Sequence, residues 1–180
     1  MSEGLYWIRR KSGRIAFIGI MTALTTLMNL IMVPMPQPLA EYDLSPILIY
    51  LSGVMIDPIT AGIIIALAQG IGVTIKSINF GWPLVFIPGA MFVRGIEAII
   101  ISLICRRKKP TSYNISSYEI VSMIIGVIWE TVGFTVADVI LFGPGMAFIT
   151  LFTIVDAIFI PIAIIIVVAV RRSLKIYRFT

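Results

Sequence analysis

Histidine is absent from this 180-residue chain, and cysteine occurs once, at Cys105. These shortages exclude a serine–histidine triad, a zinc cluster and a pair of haem ligands. The phosphate-binding loop G-x-x-x-x-G-K-[ST] is also missing, so we expect no ATP hydrolysis by this chain alone. Cys105, next to Arg106, is expected to be a reduced structural thiol. We predict no enzyme activity, no metal site and no cofactor.

Charged residues are scarce as well, at 13% of the chain, whereas 59% of the residues are hydrophobic and the mean hydropathy is +1.04. A soluble core could not bury this much apolar surface, so lipid must be the solvent. The net charge of +5 comes from basic residues that flank apolar runs. We therefore predict contact with a lipid bilayer and no binding of nucleic acid. Because the first apolar run is long enough to span a bilayer, we expect no cleavable signal peptide.

Six apolar runs predict an all-α integral membrane protein, folded as one compact bundle of six transmembrane helices over residues 1–180. Basic residues precede the first run and follow the fourth and the sixth, so the positive-inside rule places both termini in the cytoplasm. The expected location is the plasma membrane. The second run is short. The runs cover residues 15–33, 45–56, 59–78, 82–105, 119–141 and 146–170.

A polar, proline-rich loop interrupts the apolar runs at residues 34–44. Three prolines in its first half prevent a helix, so the chain must leave the membrane there or line a polar cavity. Asp43 or Ser45 can cap the next helix, which Pro46 opens. We interpret this acidic and aromatic loop as a lid over a ligand, with a plain connector as the alternative.

Charges inside the predicted spans indicate function, because each costs roughly 2.5–3.5 kcal/mol at a helix centre. Arg94 and Glu97 lie three residues apart on one helix face, which leaves a structural ion pair and a role in a pocket both open. Glu130 lies on a stripe of small residues that turns it toward a neighbouring helix. With nearby aromatic residues, these groups predict a small-molecule pocket in the outer half of the bundle. The candidate binding residues are Asn29, Tyr42, Asp43, Lys76, Asn79, Trp82, Phe86, Glu130, Asp138 and Asp156.

The first helix has two faces that differ in side-chain size. Asn29 lies on a polar face together with two threonines, whereas Ala16, Gly19 and Ala23 form a stripe of small residues beside it. Such a stripe lets another helix approach closely. The spacing does not decide whether that helix belongs to this chain or to a partner.

The run YDLSPILIYLSGVMIDPITAGIIIALAQG resembles the S component, which is the substrate-binding subunit of energy-coupling factor (ECF) vitamin transporters. Asp57 stands where that family usually has glycine. The proline-rich loop followed by Asp-Leu-Ser is most similar to the riboflavin-type group, although the sixth helix has Asp156 in place of a basic residue. The positions that carry the resemblance are Asp43, Leu44, Ser45, Gly53, Pro58 and Gly62.

The resemblance implies capture of a small water-soluble vitamin or related micronutrient from outside the cell, with riboflavin as the first choice. The acidic balance of the outer half favours a neutral or cationic ligand. The implied partners are a transmembrane coupling subunit and two cytoplasmic ATPase subunits, which alone would use ATP. Docking onto the coupling subunit is assigned to Ala16, Gly19 and Ala23.

Two other classes of function stay open as alternatives. A self-sufficient secondary transporter or channel could move protons or cations through Glu130, Asp138 and Asp156. The inverted repeat and paired broken helices typical of such carriers are not evident in the sequence. An intramembrane enzyme would need paired carboxylates to hold a metal, and no acidic pair has the i, i+3 or i, i+4 spacing.

Overall fold

The computed structural model describes residues 11–33, 42–108, 110, 112–176 and 178, which form helices and one short ladder. The long 3-10 helix runs directly into the helices on either side of it, and the three together occupy the place of the predicted sixth helix. The elements are α1 (Lys11–Leu30), β1 (Met32–Val33), β2 (Tyr42–Asp43), α2 (Ser45–Met55), α3 (Pro58–Phe80), α4 (Phe86–Cys105), α5 (Ser117–Phe142), α6 (Pro144–Thr150), the 3-10 helix (Leu151–Phe159) and α7 (Ile160–Leu174).

Five helical stretches are long and apolar enough to cross a membrane: α1, α3, α4, α5 and the combined stretch Leu151–Leu174. The eleven residues of α2 cover about 16 Å, roughly half the thickness of the hydrocarbon layer. The predicted class, an all-helical membrane protein, is confirmed. Six separate spans and cytoplasmic termini stay predictions.

The short helix α2 lies at the centre of the bundle, since all eleven of its residues are buried. Helices α1, α3, α4 and α7 pack against it. Glycines set the spacing to α4, because a Cβ added at Gly53 would lie 2.6 Å from Ile101 Cγ2. The same isoleucine fills the space at Gly126 of α5. Small residues thus bring three helices close together around one side chain.

Two predicted helix ends were wrong for local reasons. α1 ends at Leu30 instead of residue 33, because Val33 precedes a proline and is driven into an extended conformation. α4 begins at Phe86 instead of residue 82. Gly81 ends α3 in the left-handed conformation, with φ 73°, and Pro83 then opens a turn. The other predicted boundaries differ by up to four residues.

The two-stranded ladder holds together the ends of the proline-rich loop. Val33 pairs with Tyr42, and Met32 pairs with Asp43. Residues 34–41 of the predicted loop lie outside the described residues. The N–H of Leu44 donates to the carbonyl of Met28 in α1, so the start of α2 is tied to the end of α1.

At the opposite end of the bundle, α5 and α7 are joined by a buried ion pair. Arg171 contacts the carboxylate of Glu119 with both terminal nitrogens of its guanidinium. Glu119 also accepts hydrogen bonds from the backbone and hydroxyl of Ser116, which completes a capping box at the start of α5. This ion pair is far along α5 from the groups described next.

Candidate functional site

Asp43 gathers polar groups from four helices around one buried carboxylate. Its Oδ2 accepts hydrogen bonds from Asn29 Nδ2 at 3.0 Å and from Lys76 Nζ at 3.1 Å. Arg94 Nη1 lies 3.3 Å from the same oxygen. Oδ1 accepts from the N–H and the hydroxyl of Ser45, the first residue of α2. The predicted cap was wrong, because the N-cap position of α2 is Leu44, which has no polar side chain; Asp43, one residue earlier, accepts from the first N–H of the helix.

The guanidinium of Arg94 extends this network to two more acidic groups. Its Nε donates to Glu130 Oε1 at 2.7 Å, and its Nη2 lies 3.6 Å from Asp156 Oδ2. Its Nη1 also donates to Ser45 Oγ and to Gln69 Oε1. Such a distribution of donors needs the planar guanidinium of arginine, since an ammonium group is a single point of charge.

The side-chain amide of Gln69, in α3, links the polar groups of α1 and α2. Its Oε1 accepts from Asn29 Nδ2 at 2.9 Å, and its Nε2 donates to Ser45 Oγ at 3.0 Å. Because Gln69 is 1% exposed, every one of these bonds is made away from solvent. The polar groups of α1, α2, α3 and α4 therefore form one continuous structure.

Glu97 lies one helical turn from Arg94 on α4 and is fully buried. Neither of its carboxyl oxygens has a hydrogen-bond partner among the described residues. The ion pair that the three-residue spacing allowed is not formed, because Arg94 turns toward Glu130 and Asp43. We call six ionisable groups the charge cluster: the partly buried Arg94 and the buried Asp43, Lys76, Glu97, Glu130 and Asp156.

Aromatic residues surround the charge cluster at the end where α3 stops and α4 starts. Lys76 Nζ lies 5.3 Å from the ring centroid of Trp82, which in turn meets Phe86 edge-on. Tyr42 is buried, and its hydroxyl donates to the carbonyl of Phe152 in the 3-10 helix. These contacts bring the predicted aromatic residues beside the predicted charged ones.

Asn79 and Asp138 lie apart from the hydrogen-bonded network of Asp43 and Arg94. Asn79 is exposed in the last turn of α3. Asp138 is buried, but its hydrogen-bond partner is Thr150 at the end of α6. Neither residue is among the groups that Asp43 and Arg94 contact.

Electrostatics fix the protonation of the two site residues in β2. Burial opposes ionisation of Asp43, but Arg94, Lys76 and the hydrogen bonds of Ser45 outweigh it, so the pKa of Asp43 lies below its usual value. Burial raises the pKa of Tyr42, and the charges of Asp156 and Glu130 raise it further. Asp43 is therefore a carboxylate and Tyr42 a neutral hydroxyl at physiological pH.

Four site residues were missing from the predicted set: Ser45, Gln69, Arg94 and Glu97. The last two were recognised as buried charges, but their partners were not. Gln69 gave a usable signal, because a glutamine in the middle of an apolar span is costly unless it is bonded. In the described part of the chain, no group of three or more acidic, cysteine or histidine side chains could hold a metal.

The small stripe of α1 faces away from the bundle. Ala16, Gly19 and Ala23 are exposed, and a Cβ added at Gly19 would meet no atom within 4 Å. The adjacent polar face, which includes Asn29, is buried. Within the described residues, the stripe therefore does not pack against another helix of this chain.

Five apolar helical stretches of spanning length around a buried, hydrogen-bonded polar network indicate a multi-pass membrane protein. The family model described as ECF-type riboflavin transporter, S component, matches residues 10–173, and this chain belongs to that family. The resemblance drawn from the sequence, including its riboflavin-type group, is confirmed. The chain is thus a substrate-binding subunit of an ECF importer. Neither the curated proteins nor the solved structures gave a match.

Proposed function

We propose that this chain captures riboflavin, or a closely related flavin, at the outer surface of the plasma membrane for import by an ECF transporter. The observation that carries the proposal is the position of Asp43. It is the second residue after the segment 34–41, and polar groups from α1, α3 and α4 converge on it. A polar group of the ligand that contacts Asp43 would therefore act on the whole buried network.

The charge balance of the site favours an uncharged ligand. Lys76 and Arg94 both contact carboxylates, and the cluster contains more acidic groups than basic ones. A phosphate or carboxylate on the ligand would add a buried negative charge, and both bases of the cluster are already paired with carboxylates. The aromatic pair Trp82 and Phe86 offers a stacking surface at the same end. A neutral ring system with hydroxyl groups matches these properties.

The direct test is whether the protein purified in mild detergent carries a flavin, visible as yellow colour with quenched fluorescence. Protein freed of ligand is then titrated with riboflavin. Asp43→Asn should weaken binding by about ten- to a hundredfold, since a charge-assisted hydrogen bond contributes roughly 1.5–3 kcal/mol. Tyr42→Ala should also weaken binding, because it removes a buried aromatic ring beside Asp43. Asn114→Ala, at the opposite end of the bundle, is the matched control and should bind like the parent. Absence of both bound flavin and riboflavin-dependent quenching would overturn the proposal.

We assign docking of the coupling subunit to the exposed stripe Ala16, Gly19 and Ala23. Helices associate in lipid through close van der Waals packing, which a bulky side chain on the stripe prevents. Gly19→Trp should abolish co-purification with the ATPase module and ATP-driven uptake, while riboflavin affinity stays within about twofold, because the open space around Gly19 accepts the ring. Val132→Trp, at another exposed position, on α5, should alter neither property. Normal co-purification of Gly19→Trp would place the docking surface elsewhere.

The alternative of a self-sufficient carrier has weaker support from the geometry. That hypothesis put Glu130, Asp138 and Asp156 on one path, but Asp138 has its hydrogen bond with Thr150 at α6. Uptake of riboflavin by the isolated chain in liposomes without ATPase subunits would nevertheless return the carrier to first place.

A further inference from the structure

The charge cluster contains more acid than base. Four carboxyl groups face two cationic groups, so four minus two leaves a net charge of −2 if every group is ionised. Lys76 contacts Asp43, while Arg94 is shared between Asp43, Glu130 and Asp156. Unbalanced buried charge is strongly unfavourable at membrane depth, where neither water nor salt compensates it. Something else must therefore neutralise the surplus.

Four carboxyl oxygens of the charge cluster have no partner in the described part of the chain to balance the surplus negative charge. Both oxygens of Glu97, Oε2 of Glu130 and Oδ1 of Asp156 are closed to solvent and have no hydrogen-bond partner among the described residues. The three groups also act on one another electrostatically. A buried acceptor without a donor is costly, so each of these oxygens is a place for a donor or a cation.

The packed surroundings exclude large occupants. A Cβ added at Gly126 would already lie 3.2 Å from Glu97 Oε1, which shows how closely α5 covers this carboxyl group. Because the four oxygens are closed to solvent, a hydrated ion or a ligand group has no room beside them. A proton needs no such volume.

Four polar side chains from neighbouring elements make hydrogen bonds to other groups than these carboxyl oxygens. The hydroxyl of Tyr50 in α2 donates to the backbone carbonyl of Asp156, and that of Tyr42 in β2 donates to Phe152. Asn29 of α1 and Gln69 of α3 bond the Asp43 end of the cluster. Lys76 of α3 and Arg94 of α4 are the bases already counted.

We propose that the charge cluster is a proton-binding site: Glu97 carries one proton, the Glu130–Asp156 pair carries a second, and the cluster is electrically neutral in the folded protein. Arg94 lies between Glu130 and Asp156, so one carboxylate of that pair balances the guanidinium while Asp43 balances Lys76. Glu97, which has no ionic partner within hydrogen-bonding distance among the described residues, is a neutral carboxylic acid. This inference does not depend on the identity of the transported ligand.

Bound protons give stability a definite dependence on pH. In the unfolded chain these carboxyl groups are ionised at neutral pH, whereas the folded chain retains two protons. The folded state therefore binds more protons, so stability falls as pH rises. Each retained proton changes the unfolding equilibrium constant about tenfold per pH unit, so two protons change it about a hundredfold.

The test is reversible unfolding by sodium dodecyl sulfate, in mixed micelles, from mildly acidic to mildly alkaline pH. The unfolding constant of the parent should rise about a hundredfold per pH unit, and that of Glu97→Gln only about tenfold. Glu119→Gln is the matched control. Its carboxylate is buried but ion-paired with Arg171, so the variant should keep the parent's slope even if it is less stable.

Infrared spectroscopy gives a second readout, and its measurement on the parent does not require Glu97→Gln to fold. The folded parent at neutral pH should show the carbonyl band of protonated carboxylic acids, and this band should decrease in Glu97→Gln. An unfolding constant of the parent that does not change with pH, together with no such band, would overturn the proposal. A band and slope that Glu97→Gln leaves unaltered would overturn the assignment of one proton to Glu97.

Discussion

Replacing Asp43 by asparagine is expected to destabilise the fold by about 3–5 kcal/mol, the usual cost of removing one partner of a buried ion pair. Asparagine keeps the shape of the side chain but removes the carboxylate that Lys76 contacts at 3.1 Å, and Lys76 is 1% exposed. Arg94 is less affected, because Glu130 and Asp156 still balance it. For a chain of this size, the loss corresponds to a fall in melting temperature of roughly 6–20 °C.

A second substitution shows whether the cost comes from the lost contact between Asp43 and the ammonium group of Lys76. Lys76→Met in the Asp43→Asn background removes that charge, so the double variant should be more stable than the sum of the single effects predicts. The matched control is Asp57→Asn. Asp57 pairs with Arg14 at an exposed position, and asparagine caps a helix as well as aspartate does, so the cost should stay below about 1 kcal/mol.

The assay is thermal unfolding of the purified variants in one detergent, followed by circular dichroism. The reasoning fails if Asp43→Asn lowers the melting temperature no more than Asp57→Asn does. It also fails if the double variant shows no coupling between the two positions, since the two side chains would then contribute independently.

Three further predictions concern packing, topology and acid stability. Gly53→Val should lower the free energy of chemical unfolding by about 1–3 kcal/mol, because the new Cβ would clash with Ile101 of α4. Gly89→Ala should not lower it, because no atom lies within 4 Å of the added Cβ. An impermeant thiol reagent should label Asn79→Cys from outside intact cells but not Ser112→Cys, and the reverse pattern would invert the topology. Because the pKa of Asp43 is lowered, its stabilisation is present above the usual aspartate pKa and is lost as pH falls through the lowered value. Melting temperatures at acidic pH should therefore fall less in Asp43→Asn than in the parent.

The helices were predictable because, in a chain this hydrophobic, an apolar run long enough to span the bilayer almost always forms a transmembrane helix. The 3-10 stretch within the last run was not predictable, since periodicity in a uniformly apolar segment does not distinguish it from an α-helix. The end of α1 was wrong by three residues for a reason visible in the sequence, namely the proline after Val33. Local rules thus explain the boundaries better than hydropathy does.

The residue at the centre of the buried network stood out in the sequence, but its contacts could not be predicted. Asp43 stood out as an acidic residue between a proline-rich loop and a helix start. The partner of Arg94 was ambiguous, because helical spacing offered Glu97 on the same face, whereas the long side chain reaches Glu130 on α5. Which carboxylate pairs with Arg94 depends on how α4 packs against α5. Spacing within one helix cannot predict this packing.

The complete burial of α2 has a consequence for how the protein is made. Its eleven residues are too few to span the bilayer, so lipid alone would not hold this segment in place as it leaves the ribosome. Its stable position depends on α4 and α7, which are synthesised later. The geometric centre of the bundle must therefore be completed last, and a chain that stops before α7 should contain membrane-inserted helices without a formed interior.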